Sequence, residues 1–174
     1  MKIFIVGSDN INKLDYANEL IALNDNLNIC KYFTSESKFD GMLGEYKFNL
    51  SVEDIDLSFK NDVLLFIDYQ DEYITGVTHE DFYNSDILNL SIEYFNLIPD
   101  QYLNCDNLIV WIDNKSNANK KALAEANYFL ERVEEINIPL LYFINEDKKD
   151  IAKIVIDYIE GDEKCRKEIL AEHN

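Results

Sequence analysis

Lys2-Ile3-Phe4-Ile5-Val6-Gly7, continuing as Ser8-Asp9-Asn10-Ile11-Asn12-Lys13-Leu14, decides the fold. Four consecutive apolar residues closed by a glycine read as a buried strand and a tight turn. Beyond the turn, Leu14, Ala17, Leu20 and Ile21 recur at helical spacing and predict an amphipathic helix ending near 24–26. A strand apolar at every position must be covered on both faces, which is the signature of a parallel sheet. The alternation continues along the chain. Residues 27–33 predict a second strand; residues 34–60 predict a loop, a short strand at 46–50 and a brief helical turn; residues 62–68 predict a strong central strand. Residues 79–103 are mixed, with helical turns expected around 79–84 and 91–95. Residues 108–112 are a further central strand, 117–135 the best helix of the chain, and 139–144 a fourth strong strand. Asn145 or Asp147 then caps a helix that Gly161 ends. The expected fold is α/β in three layers, a mainly parallel sheet with helices on both faces. It forms one domain over residues 1–161, followed by a charged, exposed helical tail at 162–174.

The composition narrows the function. The 174 residues carry 16 Lys+Arg against 34 Asp+Glu, a formal charge of −18, and only Arg132 and Arg166 are arginines. With 47% hydrophobic residues this is a folding sequence and not an acidic disordered tail. So negative a surface repels nucleic-acid phosphates and anionic lipids, which excludes direct nucleic-acid or membrane binding. Cys30, Cys105 and Cys165 are far apart and form no CxxC pair, which points to a reducing compartment. No apolar run reaches signal-peptide or membrane-spanning length, so the expectation is a cytoplasmic, intracellular protein. Abundant Asn, Ile, Asp and Lys fit an AT-rich genome, a virus or phage among the sources.

The loop after the first strand lies where α/β sheets bind ligands, beyond the carboxyl ends of the strands and at a helix N-terminus. Against the phosphate-binding pattern G-x-x-x-x-G-K-S/T, Gly7 and Lys13 match in register. Asn12 stands where a glycine lets the backbone curl round a phosphate, and Leu14 replaces the hydroxyl that ligates Mg²⁺. Asp9 adds a negative charge inside the loop. Two readings stand at this point: a phosphate cradle, or an ordinary strand-to-helix turn with an exposed lysine.

Further along, Phe33-Thr34-Ser35-Glu36-Ser37-Lys38 and Gly44-Glu45-Tyr46-Lys47-Phe48 are similar to the guanylate-kinase family's T-T-R…R…G-x-x-Y-x-F stretch, which grips the guanine nucleotide. Ile74-Thr75-Gly76-Val77-Thr78 looks like that family's downstream turn. The order of elements over residues 1–145 resembles nucleoside monophosphate kinases in general. The resemblance implies a P-loop-kinase-like fold with a degenerate phosphate loop, and Mg²⁺ and a nucleotide as ligands. It implies Gly7, Ser8, Asn12 and Lys13 at the phosphates, Ser35, Glu45 and Tyr46 near the nucleobase or monophosphate, and Asp68 near the metal. From the residues alone Asp68, Asp71 and Glu72 could hold Mg²⁺ or Ca²⁺ through oxygens, but the simpler reading, and the favoured one, is a solvated acidic loop. The family's gripping arginine is Glu36 here, and its second falls near Lys38 or Phe39.

Phosphoryl transfer is catalysed largely by cations placed around the transferring group. Between Lys60 and Lys115 there are 54 residues with no Lys or Arg and with eleven acids, and residues 61–115 carry −10 of the total charge against −4 for each flanking segment. Nucleophilic catalysis fares no better, because His79 and His173 are the only histidines and no nucleophile elbow is present. The expectation is therefore a catalytically inactive, nucleotide-kinase-like protein that binds a protein partner with a basic surface, or weakly a nucleotide. Asp71, Glu72, Tyr73, Glu80, Asp81, Tyr83 and Asp86 form the candidate acidic and aromatic partner surface. The alternative is an acidic inhibitor that mimics DNA in a basic groove. A third reading is an active kinase with an atypical loop.

Overall fold

The computed structural model describes residues 1–7, 11–35, 46–47, 50–69, 73–113 and 120–173. The first strand, β1 (Ile3–Gly7), has all five residues buried. Successive side chains of a strand point to opposite faces, so β1 feeds two cores at once. Ile3 and Ile5 pack with Ala17 and Leu20 of α1 (Lys13–Leu23) and with Ile151 and Val155 of α6 (Lys148–Glu160). Phe4 and Val6 pack on the opposite face with Phe95 of α4 (Ile92–Leu97) and with Phe129 and Val133 of α5 (Lys120–Ile136). The Phe4 ring meets Phe95 edge-on at 5.4 Å, and Phe95 meets Phe129 at 5.0 Å.

Three parallel strands complete this sheet: β6 (Ile87–Leu90), β7 (Leu108–Asp113) and β8 (Leu140–Ile144), in the order β6-β1-β7-β8. Ile3 pairs with Ile87 on one side and Leu108 on the other, and Ile109 pairs with Leu140. A second sheet, β3-β2-β5-β4, is built from β2 (Tyr32–Thr34), β3 (Tyr46–Lys47), β4 (Leu64–Tyr69) and β5 (Ile74–Thr78). Its β2–β3 pair is parallel, and β5 runs antiparallel to both β2 and β4. Tyr32 fastens the two sheets together: its hydroxyl donates to the Asn89 carbonyl at 2.7 Å and its ring meets Phe66 at 6.5 Å. The nine-residue α2 (Val52–Lys60), capped by Ser51, covers the second sheet through Ile55. Thr78 caps the short α3 (His79–Tyr83).

The α/β architecture with helices on both faces of a parallel sheet agrees with the sequence reading, but two strands sit elsewhere. Residues 62–68 form no part of the parallel sheet; as β4 they are an edge of the second one. The place beside β1 opposite β7 belongs to Ile87–Leu90, between the two expected helical turns of a stretch read as mixed. That run is four residues long, contains Asn89, and lies between Ser85 and the helix-capping Ser91, so its strand signal is short and interrupted. Ile74–Thr78, read as a turn, is likewise a strand. A Cβ at Gly76 would lie 2.6 Å from Phe33 Cζ and 2.4 Å from the Phe66 carbonyl oxygen, so this glycine serves close strand approach. Residues 27–33 reach the parallel sheet only through a bridge from Ile29 to Ile87.

The last helix, α7 (Glu163–His173), lies against β8: Ile169 and Leu170 pack on the core, and the His173 ring is 5.0 Å from Phe143. Both arginines close helix ends. Arg132, 7% exposed, donates to the carbonyls of Phe95 and Ile98 at the end of α4 and to Asp100 Oδ1. Arg166 donates to the carbonyls of Tyr158 at 3.0 Å and Ile159 at 2.9 Å in the last turn of α6. Orphan carbonyls at helix ends are otherwise left to water, so a buried fork that meets several of them is stabilising. Urea unfolding should therefore separate the two arginines: Arg132→Met should lower stability by about 2–4 kcal/mol. The more exposed Arg166→Met should cost about 1 kcal/mol or less.

Candidate functional site

The carboxyl ends of β7 and β8 and the starts of α1 and α6 enclose a cleft of about 410 Å³. Gly7 closes β1 at its rim, where a Cβ would stand 2.8 Å from the Ile112 carbonyl oxygen of β7. Close packing of two strands is thus one reason for glycine here, whatever the loop binds. Asn12 is the N-cap of α1 but makes no capping bond; its side-chain amide donates to Asp15 Oδ1 at 3.0 Å. In this first turn the Lys13 N–H donates to the Ile11 carbonyl at 2.9 Å and the Asp15 N–H to the Asn12 carbonyl at 3.2 Å, so part of the turn's anion-seeking character is already met within the chain.

The side chains around that helix end oppose an anion. Lys13 Nζ reaches back to the carbonyls of Gly7 and Ile11, both at 3.5 Å. Leu14 is buried, so the position that would hold a metal-binding hydroxyl is a packing position. Asp15 occupies the first turn and pairs with Lys148 Nζ at 3.2 Å across to α6. That hydrogen bond to Asp15 raises the Lys148 pKa, while burial raises that of the neighbouring Tyr16. Among the described residues, the lining carries the carboxylates of Asp15, Asp113, Glu146 and Asp147 against the ammonium of Lys148. Asp113 Oδ2 accepts from the Tyr142 hydroxyl at 3.1 Å; burial, then this bond, raises the tyrosine's pKa.

The residues singled out in the sequence are distributed as follows. Asn12 lines the cleft, while Gly7 and Lys13 stand beside it, joined by the bond from Lys13 Nζ to the Gly7 carbonyl; Ser8 and Glu45 lie outside the described residues. Ser35 Oγ accepts from the Ile74 N–H at 2.8 Å and so holds the start of β5. Tyr46 sits on β3, paired with Tyr32. Asp68 sits on β4 of the second sheet, paired with Thr75, whereas the strands alongside β1 are β6, ending in Asn89 and Leu90, and β7, ending in Asp113. No group of three or more His, Cys, Asp or Glu among the described residues could hold a metal ion.

Of the acidic and aromatic set, Glu80 and Tyr83 are exposed, and Tyr83 leans on Tyr102 with ring centres 6.2 Å apart. Asp81 and Asp86 work inside the fold: Asp81 reciprocates the Thr78 cap, and Asp86 Oδ2 accepts from the Asn28 N–H at 3.0 Å. Tyr73 is half-buried, and Asp71 and Glu72 lie outside the described residues. His79 Nδ1 lies 3.1 Å from the Tyr102 hydroxyl.

Sequence reasoning missed Tyr16, Asp113 and Lys148. The rule that ligands gather at strand carboxyl ends would have found the last two, which follow β7 and β8 directly. Because Leu14 is a packing residue, Leu14→Thr should restore the phosphate-loop hydroxyl at a stability loss of about 2–4 kcal/mol in urea unfolding, with no gain in Mg²⁺ affinity by calorimetry.

No protein-family model matches the chain, and no curated protein matches it in sequence. Among solved structures it is similar to guanylate kinase from Anaplasma phagocytophilum, with a TM-score of 0.58 and 14% identity over 99% of this chain and 94% of that one. At that identity the likeness shows the fold alone, and the fold is guanylate-kinase-like.

Proposed function

We propose that this chain is a nucleotide-kinase-like protein that has lost phosphoryl transfer and acts by binding a protein partner, with nucleotide binding weak. The observation that carries the reading is the position of the guanidinium groups. Both arginines of the chain are engaged by helix-end carbonyls, and Arg132 is buried against Asp100 as well. Neither is placed to meet the charge that builds up on a transferring phosphoryl group. The carboxylate-rich cleft supports the same reading, because an incoming phosphate would meet four carboxylates around one ammonium. The mimicry of DNA is less well supported: it needs freely displayed carboxylates, and Asp81 and Asp86 are bound within the fold.

A phosphotransfer assay on GMP and dTMP with Mg-ATP, run beside calorimetric titration of the same nucleotides, tests this. Turnover should stay below about 0.01 s⁻¹, far under ordinary enzyme rates. Any nucleotide dissociation constant should lie near or above 1 mM, corresponding to about −4 kcal/mol. Turnover at ordinary kinase rates would sink the proposal. Micromolar binding abolished by Lys13→Ala would instead establish a retained nucleotide site.

A further inference from the structure

The parallel sheet has two edges, and the chain treats them differently. At the β6 edge the segment before β2 returns alongside: Cys30 donates its N–H to the Ile87 carbonyl at 2.7 Å, and Ile87 donates to the Asn28 carbonyl at 3.0 Å. At the other edge, Ile109 of β7 donates to the Pro139 carbonyl at 2.8 Å, and Asn145 donates to the Asp113 carbonyl at 3.0 Å. With Ile109 opposite Leu140, the inward-facing groups of β8 belong to Pro139, Leu141, Phe143 and Asn145. Alternation turns the N–H and C=O of Leu140, Tyr142 and Ile144 outward. Among the described residues these six groups have no backbone partner.

Natural sheets blunt such an edge with lysines, bulges or a covering segment. The strand Leu140-Leu141-Tyr142-Phe143-Ile144 has no charged residue and no bulge against β7. Beside its first residues runs a groove of about 590 Å³, walled by Leu130 and Val133 of α5 on one face of the sheet and by Leu170 of α7 on the other. An extended chain laid along β8 would run between those two helices. Charge selects the occupant. Glu134 lines the groove, no lysine or arginine does among the described residues, and Glu131, Glu135 and Asp106 are exposed nearby in the sequence. The one arginine of α5 is buried against Asp100. A second copy of this chain would bring another −18 to the same face.

We infer that the β8 edge receives an extended segment of a basic protein partner, which adds to the sheet as a fifth strand. An apolar side chain of that segment enters the groove between Leu130 and Leu170, and its lysines or arginines lie toward Glu131 and Glu134. Main-chain bonds to Leu140, Tyr142 and Ile144 supply affinity, and the groove and rim supply selectivity. The inference rests on the partner-binding reading above and gives it a location.

The test is amide hydrogen exchange of the full chain titrated with an acetylated heptapeptide of alternating lysine and valine. Binding should reach a dissociation constant of roughly 0.1–1 mM, the range of weak, transient encounters. At saturation the Leu140, Tyr142 and Ile144 amides should exchange at least about tenfold more slowly, and the already bonded Leu141 and Phe143 should change little. Ile144→Pro removes one outward donor without breaking the ladder, a change edge strands tolerate, and should weaken binding about tenfold at unchanged melting temperature. Glu134→Lys, which alters no backbone group, should weaken it about threefold at low salt and less at high salt.

Absence of binding at millimolar peptide overturns the inference. So does binding that leaves those three amides unprotected or that Ile144→Pro does not affect. Protection of the same amides without peptide, with a dimer mass in sedimentation, overturns it in favour of self-association. Kinase turnover would overturn the loss of catalysis and leave these exchange rates untouched, so the two readings fail separately.

Discussion

Burial of β1 on both faces is the constraint from which the rest of the structure follows. Ile3, Phe4, Ile5 and Val6 are each no more than 1% exposed, and burying side chains of this size contributes roughly 1.5–3 kcal/mol apiece. That is comparable with the whole net stability of an ordinary domain. Two cores must therefore form, one under α1 and α6 and one under α4 and α5. Once both exist, the carboxyl ends of β1, β7 and β8 meet at one rim, and Gly7 lets β1 approach the Ile112 carbonyl closely enough for this. The position of a ligand cleft is thus a by-product of packing. Its chemistry is a separate matter, decided by which side chains stand around it.

Those side chains have been drawn into the scaffold. The guanidinium is a planar fork suited to phosphate, and equally to several carbonyls converging at a helix end. In this chain it takes the second use twice, at α4 and at α6. Lys148 is tied to Asp15, and Lys13 reaches to loop carbonyls. Lys2, whose pKa burial lowers, donates to the carbonyls of Phe82, Tyr83 and Ser85 at the end of α3. A chain with few cations has set several of them to satisfying backbone carbonyls, and a phosphate-handling centre draws on the same groups.

Much of the fold was legible because its long elements carry one clear period. β1, β7 and β8 are apolar runs, and α1, α5 and α6 repeat their buried residues at helical spacing. Asp147 proved to be the cap of α6, through its bond from the Lys149 N–H. Strand strength, however, says nothing about which sheet a strand joins. Leu64–Tyr69 reads more strongly than Ile87–Leu90, yet only the latter lies beside β1, because the turn at α3 and the bridge from Ile29 bring it there. Gly76 and its flanking threonines look like a turn, whereas the glycine is there to admit the Phe33 ring. The role of Arg132 left no sequence signal, since its partners lie 32 to 37 positions away.

The acidic middle of the chain illustrates how density in sequence differs from display in space. Residues 61–115 hold more than half of the net charge, but several of their carboxylates have internal duties. Asp81 completes the Thr78 cap, Asp86 anchors Asn28, Asp100 meets Arg132, and Asp113 accepts from Tyr142. Carboxylates used as caps and clamps hold their geometry for the fold, and beyond direct contact their charge acts as a diffuse field screened over about a Debye length, ~8 Å at physiological salt. Such a field hastens encounter with a basic partner without selecting one. Selection needs a shaped feature with unmet bonds. Among the described residues, the outward groups of Leu140, Tyr142 and Ile144 have that character, beside an apolar groove with Glu134 in its wall.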